Sequence, residues 1–244
     1  VDPDGAETRH EYDSAGRRVA TVDRRGARTT TVYDAASGMP ASETDALGAV
    51  TTYTYAAQIR NAFTFHNLTA VAFPDGTRET YEYDARGNRT RTTDRAGQSW
   101  TRAYDPRGNL LSETNPAGGV TAYTYNANGT LASVTVPSGD RTTFGYDSQL
   151  RPTRVDLPGG AARQLTYDAM NRVLTATDER GSVRRFAYND NGRLQSAMDA
   201  LNRATALAYD GDERLASVTD ALNRATRAAY DGAGRLSSLT DPTN

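Results

Sequence analysis

The sequence predicts an all-β fold in which tandem β-hairpins form one long antiparallel strip. Three observations predict it: a tyrosine recurs every 21 residues over most of the chain, each repeat contains two turn signals, and short segments of strand-forming residues separate those turns. A repeat of this length provides one supersecondary unit, and such units are stabilised mainly by their neighbours along the chain.

Each repeat is marked by a tyrosine that is followed by a carboxylate or an amide. Two intervals depart from 21 residues: Tyr33 to Tyr55 spans 22 residues and Tyr55 to Tyr83 spans 28. The repeat tyrosines are Tyr12, Tyr33, Tyr55, Tyr83, Tyr104, Tyr125, Tyr146, Tyr167, Tyr188, Tyr209 and Tyr230. The following residue is Asp13, Asp34, Asp84, Asp105, Asp147, Asp168, Asp210 or Asp231, with Asn126 and Asn189 in two repeats and Ala56 as the exception. We expect these tyrosines and aspartates to be structural residues of the repeat.

Two turns are predicted in each repeat. The fifth position, counted from the tyrosine, is usually glycine or asparagine, which tolerate positive φ, whereas Leu150 and Glu213 stand there in two repeats. A second glycine or asparagine falls ten residues later, usually three residues after an aspartate or asparagine. Aspartate and asparagine side chains accept hydrogen bonds from backbone N–H groups two residues on, so we expect them to build the turns.

Short strands are predicted between the turns, because segments such as 120–125 and 214–219 are rich in strand-forming residues. Alternate residues of a strand share a face, so Thr121, Tyr123 and Tyr125 project together. The same spacing predicts an apolar row of Phe144 with Tyr146, Leu165 with Tyr167, Phe186 with Tyr188, and Leu207 with Tyr209. Two strands per repeat amount to about 22 strands, and open sheets rarely exceed about 10 without curling, so we expect a spiral or shell wall.

The composition argues against several classes of protein. The formal net charge is −2 with acidic and basic residues interspersed, so no basic face favours nucleic acid. There is neither a run of 18 apolar residues nor a leader of the signal-peptide type, so we expect no membrane span. Cysteine is absent, which excludes disulfides and thiolate chemistry. All 28 basic residues are arginine, which hints at a GC-rich bacterial genome.

The string Tyr-Asp-x-x-Gly-Arg-Leu at residues 230–236, with Thr-Asp-Ala-Leu-Asn at residues 219–223, resembles the YD/RHS (rearrangement hotspot) repeat family over essentially the whole chain. That family includes bacterial RHS polymorphic toxins, toxin-complex shell proteins and teneurins. The resemblance implies a β-strip that spirals into a hollow shell, which in bacterial members encloses a toxic carboxyl-terminal segment until delivery. The Asp-Pro-x-Gly-Leu release motif of such members is absent, and we interpret the nearest string, residues 105–110, as an ordinary turn.

No catalytic, cofactor-binding or metal-binding residue is predicted, and we expect the chain not to be an enzyme. His10 replaces an apolar residue in a strand, and His66 replaces a turn glycine, so neither needs a chemical role. The recurring aspartates offer oxygen ligands of the kind calcium prefers, but turn formation accounts for them and the calcium-binding nonapeptide is absent. Tyrosine rows can stack on sugars, although strand tyrosines at one register more often pack against one another.

The 28-residue interval contains a seven-residue insertion within residues 56–65, where we expect one turn to be enlarged. It carries Ile59, Phe63 and Phe65 where other repeats have a tight polar turn, so these residues are candidates for a contact loop. A docking loop, a plug and a strand extension are all compatible with the sequence. We favour local packing of the insertion against a neighbouring coil.

The leading hypothesis is a non-enzymatic structural shell segment that encapsulates the toxic carboxyl-terminal cargo of a secreted bacterial RHS-type toxin. Its implied partners are the covalently linked cargo, the remaining shell repeats, and secretion-apparatus or immunity proteins, and no cofactor is expected. The alternative is an extracellular adhesion or recognition module that binds a glycan or a protein. Because the first and last residues fall within repeats, we expect residues 1–244, a single array of about eleven repeats, to be a fragment of a larger protein.

Overall fold

The structure is a computed structural model that describes residues 7–242. These residues form 22 β-strands and one short 3-10 turn, Pro158–Gly160, which confirms the predicted all-β class of tandem antiparallel hairpins. The chain divides into two compact units, Val1–Tyr123 and Thr124–Asn244. That residues 1–244 act as a single array stays a prediction.

The first unit contains ten complete strands and most of an eleventh. They are β1 (Arg9–Tyr12), β2 (Arg18–Val22), β3 (Arg28–Tyr33), β4 (Pro40–Thr44), β5 (Val50–Arg60), β6 (Phe63–Ala72), β7 (Arg78–Tyr83), β8 (Arg89–Thr93), β9 (Ser99–Tyr104), β10 (Leu110–Thr114) and β11 (Val120–Tyr125). Each pairs antiparallel with the strand that follows it, from β1 to β11. Most strands are five or six residues long because the turns recur so closely.

The second unit contains eleven complete strands after the last residues of β11. They are β12 (Leu131–Thr135), β13 (Arg141–Tyr146), β14 (Pro152–Asp156), β15 (Ala162–Tyr167), β16 (Val173–Thr177), β17 (Val183–Tyr188), β18 (Leu194–Met198), β19 (Ala204–Tyr209), β20 (Leu215–Thr219), β21 (Ala225–Tyr230) and β22 (Leu236–Thr240). Each again pairs antiparallel with its successor.

A β-bulge lies beside the repeat tyrosine. In the hairpin of β15 and β16, Thr166 pairs with Thr175 but Tyr167 pairs with Val173, so Leu174 is an extra residue in β16. The same shift occurs beside Tyr12, Tyr33, Tyr55, Tyr83, Tyr104, Tyr146, Tyr188, Tyr209 and Tyr230. A bulge bends its strand and re-aims nearby side chains, so it sets the position of each tyrosine relative to the adjoining turn.

The two faces of the sheet differ in chemistry. We call the side that carries the repeat tyrosines the tyrosine face. In the second unit Leu165 shares this face with Tyr167 and pairs across the strands with Ala176. On the opposite face the Thr166 and Thr175 hydroxyls lie 2.7 Å apart in a hydrogen bond. In this hairpin, strand alternation therefore places apolar side chains on one side and hydroxyls on the other.

The sheet has little buried interior. Among residues 7–242 only Ala20, Ala70, Val71 and Ser133 are buried. Most strand residues are half-buried or exposed. Within each unit the strands therefore depend on backbone pairing, turns and contacts between adjacent repeats.

The inserted residues lengthen the hairpin of β5 and β6. Pairing continues without interruption to Arg60 opposite Phe63. Asn61 and Ala62 form the connection with φ of 48° and 65°, which is the conformation of a two-residue hairpin turn. The insertion is therefore a strand extension.

Two sequence expectations are wrong at this hairpin. Residues 56–65 do not form an enlarged turn, and His66 does not lie at a turn but in β6, opposite Ala57. The reason is that the added residues continue the antiparallel pairing, which satisfies their backbone hydrogen bonds and moves the reversal of the chain to the hairpin tip.

The fifth position has positive φ in most repeats, and Leu150, which occupies it in one of them, provides a test of backbone strain in the turn. Leu150 adopts φ of 64° and is 48% exposed. The left-handed conformation is sterically unfavourable for leucine, and the exposed side chain gains little packing that would offset this cost. Leu150→Gly is expected to raise the free energy of unfolding by about 0.5 kcal/mol. The control Gln149→Gly, at negative φ, should lower it by about 0.5 kcal/mol. Chemical denaturation measures both, and equal signs for the two variants would contradict the explanation.

Candidate functional site

The most regular side-chain contacts lie at the first turn of each repeat. We call them the turn ladder: the aspartate after the repeat tyrosine, the residue four positions later, and the tyrosine of the following repeat. Asp168 Oδ1 accepts the N–H groups of Met170 and Arg172 at 2.8 and 2.9 Å, and its Oδ2 accepts the Arg172 Nε–H at 2.6 Å. The same three bonds form at Asp13, Asp147, Asp210 and Asp231.

The arginine of the turn ladder contacts the tyrosine of the next repeat. The Arg172 guanidinium carbon lies 4.7 Å from the centroid of the Tyr188 ring. Arg151 stacks over Tyr167 at 4.7 Å and also donates to the Asp168 carbonyl at 2.9 Å. The same stacking joins Arg17 to Tyr33, Arg193 to Tyr209 and Arg214 to Tyr230. A guanidinium is attracted to the face of an aromatic ring, and the aspartate holds it in that orientation.

The hydroxyl of the repeat tyrosine donates a hydrogen bond to a backbone carbonyl of the preceding repeat. Tyr188 Oη–H donates to the Val173 carbonyl at 3.0 Å, and Val173 directly follows Arg172. Nine repeat tyrosines bond in this way to the carbonyl 15 residues earlier: Tyr33, Tyr55, Tyr83, Tyr104, Tyr146, Tyr167, Tyr188, Tyr209 and Tyr230. Aspartate, arginine and tyrosine thus close a ring of contacts between successive repeats.

The repeat tyrosines do not pack against one another, contrary to the sequence expectation. The only aromatic ring pair within residues 7–242 is His10 with Tyr12, whose centroids lie 6.5 Å apart. Successive repeat tyrosines are two strands apart, about 9.6 Å, whereas aromatic pairs need centroids within about 7 Å. In five repeats an arginine from the preceding turn stacks on the tyrosine instead.

The sequence analysis missed the arginines of the turn ladder. The signal was present, because arginine stands four residues after Asp13, Asp147, Asp168, Asp210 and Asp231. Where Asn189 replaces the aspartate, the Arg193 Nε–H donates to Glu213 of the next repeat at 3.1 Å. At Asp84 and Asp105, the side-chain amides of Asn88 and Asn109 take the place of the guanidinium at 2.9 Å.

The turn ladder favours the charged form of its aspartates. The pKa of Asp168 lies below its ordinary value, first because the carboxylate accepts the Arg172 backbone N–H and then because it accepts the guanidinium, while desolvation offsets part of this effect. The pKa values of Asp210 and Asp231 are lowered by the equivalent backbone and guanidinium donors. Each carboxylate is therefore occupied by turn formation.

The residues predicted as a contact loop lie at the end of the β5–β6 hairpin. Ile59 and Phe63 are 75% and 70% exposed there. Phe65 is partly covered by Arg60, whose guanidinium carbon lies 4.4 Å from the ring centroid. These side chains form an apolar tip, and their role in contacting a partner stays a prediction.

One side of the hairpin packs on the following repeat. Gln58 Nε2 donates to the Asp84 carbonyl at 2.8 Å, and Arg60 donates to the Arg86 carbonyl. Asn67 Nδ2 holds Gln58 in place by donating to its Oε1 at 2.8 Å. Gln58 thus makes the contact that a turn-ladder arginine makes toward the next turn in the regular repeats.

The two histidines have separate surroundings. His10 Nδ1 lies 3.1 Å from Thr21 Oγ1. His66 lines a hollow of about 290 Å³ together with Asp34, whose carboxylate accepts the Ser37 N–H and hydroxyl at 2.7 and 2.6 Å. Within residues 7–242 no hydrogen bond joins His66 to Asp34.

Acidic residues occur in both the turns and the strands. Within the described part of the chain, no three His, Cys, Asp or Glu side chains are grouped so as to hold a metal ion. In the same residues, no helix has the length and apolar character needed to cross a membrane.

The fold and the turn ladder together define a protein of tandem β-hairpin repeats. The RHS Repeat profile matches residues 1–30, 64–99, 104–141, 125–162, 146–183, 188–225 and 209–244. The chain belongs to the RHS repeat family. Comparison with curated proteins finds no match.

Several solved structures share the fold of this chain. The TcdB2–TccC3 structure is 18% identical with a TM-score of 0.67, and the match covers 98% of this chain and 14% of that one. TcdB2–TccC3 without its hypervariable C-terminal region is 17% identical with a TM-score of 0.66, covering 98% and 14%. The Tc holotoxin pore of Photorhabdus luminescens is 17% identical with a TM-score of 0.60, covering 97% and 15%. At this identity the likeness shows the fold, and the chain spans about one seventh of each of those chains.

Removing the tyrosine hydroxyl tests the coupling between repeats. Tyr188→Phe is expected to lower the free energy of unfolding by about 1 kcal/mol, because the Val173 carbonyl loses its donor. The matched control is Tyr12→Phe, since Tyr12 is 60% exposed and its hydroxyl has no hydrogen bond within the described residues. Chemical denaturation gives both values. Equal losses in the two variants would show that the hydroxyl bond contributes nothing.

Acid titration tests the turn carboxylates. Because the pKa of Asp168 is lowered on folding, the unfolded chain binds the proton more tightly. The stabilisation is therefore complete above the ordinary aspartate pKa of about 3.9 and is lost as the pH falls through the folded pKa. We expect wild type and Asp168→Asn to differ in free energy of unfolding at pH 7 and to converge near pH 2. The control is Asp190→Asn, because the Asp190 carboxylate has no hydrogen bond within residues 7–242. A difference for Asp168→Asn that stays constant across this pH range would exclude the linkage.

Proposed function

We propose that the chain is a non-enzymatic wall segment of a shell that encloses the toxic carboxyl-terminal cargo of a secreted bacterial RHS-type toxin. The observation that carries this proposal is a sheet of coupled hairpins with little buried interior. Such a sheet provides wall area rather than a packed core, and each repeat extends it by two strands, about 9.6 Å. Membership of the RHS repeat family and the fold shared with toxin-complex components support the proposal.

The mechanism is steric exclusion. Adjacent strands lie about 4.8 Å apart and are joined by backbone hydrogen bonds, so a paired wall leaves no opening for another protein. A cargo behind such a wall cannot present its active surface to the cytosol of the producing cell. Non-catalytic action fits the turn chemistry, because the recurring carboxylates hold turns instead of converging in a pocket.

The proposal implies particular partners and a location. The partners are the covalently linked cargo and the remaining repeats of the shell, with secretion-apparatus or immunity proteins as further contacts. No cofactor and no nucleic acid are involved. The protein acts outside the producing cell or inside the target cell.

An extracellular adhesion or recognition module is the second candidate. The apolar tip formed by Ile59 and Phe63 favours it, because large apolar side chains exposed at the end of a hairpin suit contact with a partner. The sequence downstream of the repeats distinguishes the candidates. A core motif followed by a variable domain supports the shell, whereas a membrane anchor or wall-sorting signal supports adhesion.

Protease protection in the full-length protein tests the enclosure. The polypeptide carboxyl-terminal to residue 244 is expected to resist thermolysin under native conditions. Combining Tyr167→Ala, Tyr188→Ala and Tyr209→Ala removes three successive turn-ladder contacts. This variant is expected to open the wall and to accelerate cleavage of the downstream polypeptide at least about tenfold.

Two controls make the result specific. Tyr12→Ala alters an exposed repeat tyrosine and should leave the protection unchanged. The downstream polypeptide expressed alone should be cleaved rapidly. If it resists the protease alone, or if it is cleaved equally fast in wild type and in the triple variant, enclosure by this wall is not the source of protection.

A further inference from the structure

Two neighbouring hollows lie on the tyrosine face of the second unit. The first, of about 400 Å³, is lined by Val155, Leu165 and Ala176. The second, of about 660 Å³, is lined by Phe186 and other apolar side chains. Arg184 lines both hollows, and its strand, β17, lies between β16 and β18. Arg184 therefore stands between the two hollows, whose linings combine apolar side chains with other charged residues.

Arg184 is the only charged residue lining these hollows that has no partner within the described part of the chain. The others are occupied: Arg154 by Asp156, Arg163 by Glu179, Arg203 by Asp199, Arg224 by Asp220, and Asp178 by the N–H groups of Arg180 and Ser182. Arg184 pairs across the strands with Ala176, which places its guanidinium on the tyrosine face. A guanidinium without an internal partner is suited to bind a carboxylate, which it engages through two parallel hydrogen bonds.

The spacing of the hollows favours an extended polypeptide. Their centres lie about one and a half strands on either side of β17, or about 7 Å. In an extended chain, side chains on the same side are about 6.6 Å apart. A carboxylate at Arg184 therefore places the side chains two positions before and after it over the two hollows.

We propose that the Arg184 surface binds an extended polypeptide segment in which an acidic residue is flanked, two positions away on each side, by apolar residues. The apolar side chains enter the hollows, and the carboxylate pairs with the guanidinium. Such a segment has the complementary charge and the complementary apolar pattern. The site belongs to the surface of the chain and does not depend on the enclosure of a cargo, although an enclosed polypeptide is one source of such a segment.

Binding of labelled peptides to the full 244-residue chain tests the proposal. The probe is a fluorescein-labelled peptide with the core Leu-Ser-Glu-Ser-Phe, and its partner probe replaces Glu by Gln. Fluorescence anisotropy is expected to show tighter binding of the Glu peptide. Arg184→Gln is expected to weaken binding of the Glu peptide about tenfold and to leave the Gln peptide unchanged.

The chain offers a matched control one residue away. Arg185 is exposed, has no partner within residues 7–242, and lies on the opposite face, where it pairs with Thr175. Arg185→Gln removes the same charge and should leave binding of the Glu peptide unchanged. Phe186→Ala tests the apolar component and should weaken both peptides, and circular dichroism verifies that each variant is folded.

Three outcomes would overturn the proposal. Equal effects of Arg184→Gln and Arg185→Gln would indicate unspecific charge attraction. Equal binding of the Glu and Gln peptides would show that no carboxylate is recognised. If dodecanoate binds in an Arg184-dependent manner while the peptides do not, the occupant is a fatty acid instead. These results are independent of the protease test, so failure of the peptide site and failure of enclosure can be told apart.

Discussion

The contact on which the rest of this structure depends joins the first turn of one repeat to the tyrosine of the next. In its complete form, an aspartate accepts hydrogen bonds from the turn backbone and from an arginine side chain. The arginine stacks on the tyrosine of the following repeat. The hydroxyl of that tyrosine donates a hydrogen bond to the carbonyl directly after the arginine. A sheet with almost no buried interior cannot rely on a hydrophobic core. Each of these contacts is modest, about 1 kcal/mol for a hydrogen bond and about 0.5–1 kcal/mol for an exposed cation–π pair, but repetition makes them additive between neighbours.

The contacts of the turn ladder are made by different side chains along the chain. Asn88 and Asn109 replace arginine with an amide donor, and Arg193 exchanges its own turn carboxylate for Glu213 of the next repeat. In the long hairpin, Gln58 makes the contact toward the next turn. Arg151, Arg193 and Gln58 each donate a hydrogen bond to the following repeat, whereas Asn88 and Asn109 bond within their own turns. The inserted hairpin is therefore accommodated without a break in the contacts between repeats.

The two faces of the sheet carry different types of side chain. Apolar and aromatic residues of the second unit share the tyrosine face, whereas threonine hydroxyls bond to each other on the opposite face. The carboxylates are engaged in the turns. A wall needs continuity and surface rather than a reactive centre, and this division of roles suits that use. Arg184 adds to the tyrosine face a charge that has no partner within residues 7–242.

The fold class was determined by the sequence alone, because its signals are local. The spacing of tyrosines specifies the repeat, and Asp or Asn followed by Gly specifies turns through bonds that span two to four residues. The partners of the tyrosines could not be predicted in the same way, because Arg172 and Tyr188 are 16 residues apart and meet only when adjacent hairpins pair. The path of residues 56–65 and the two hollows beside Arg184 were likewise decided by tertiary structure. Strand pairing decides which side chains share a face and which charges have no partner, and both outcomes depend on several strands at once.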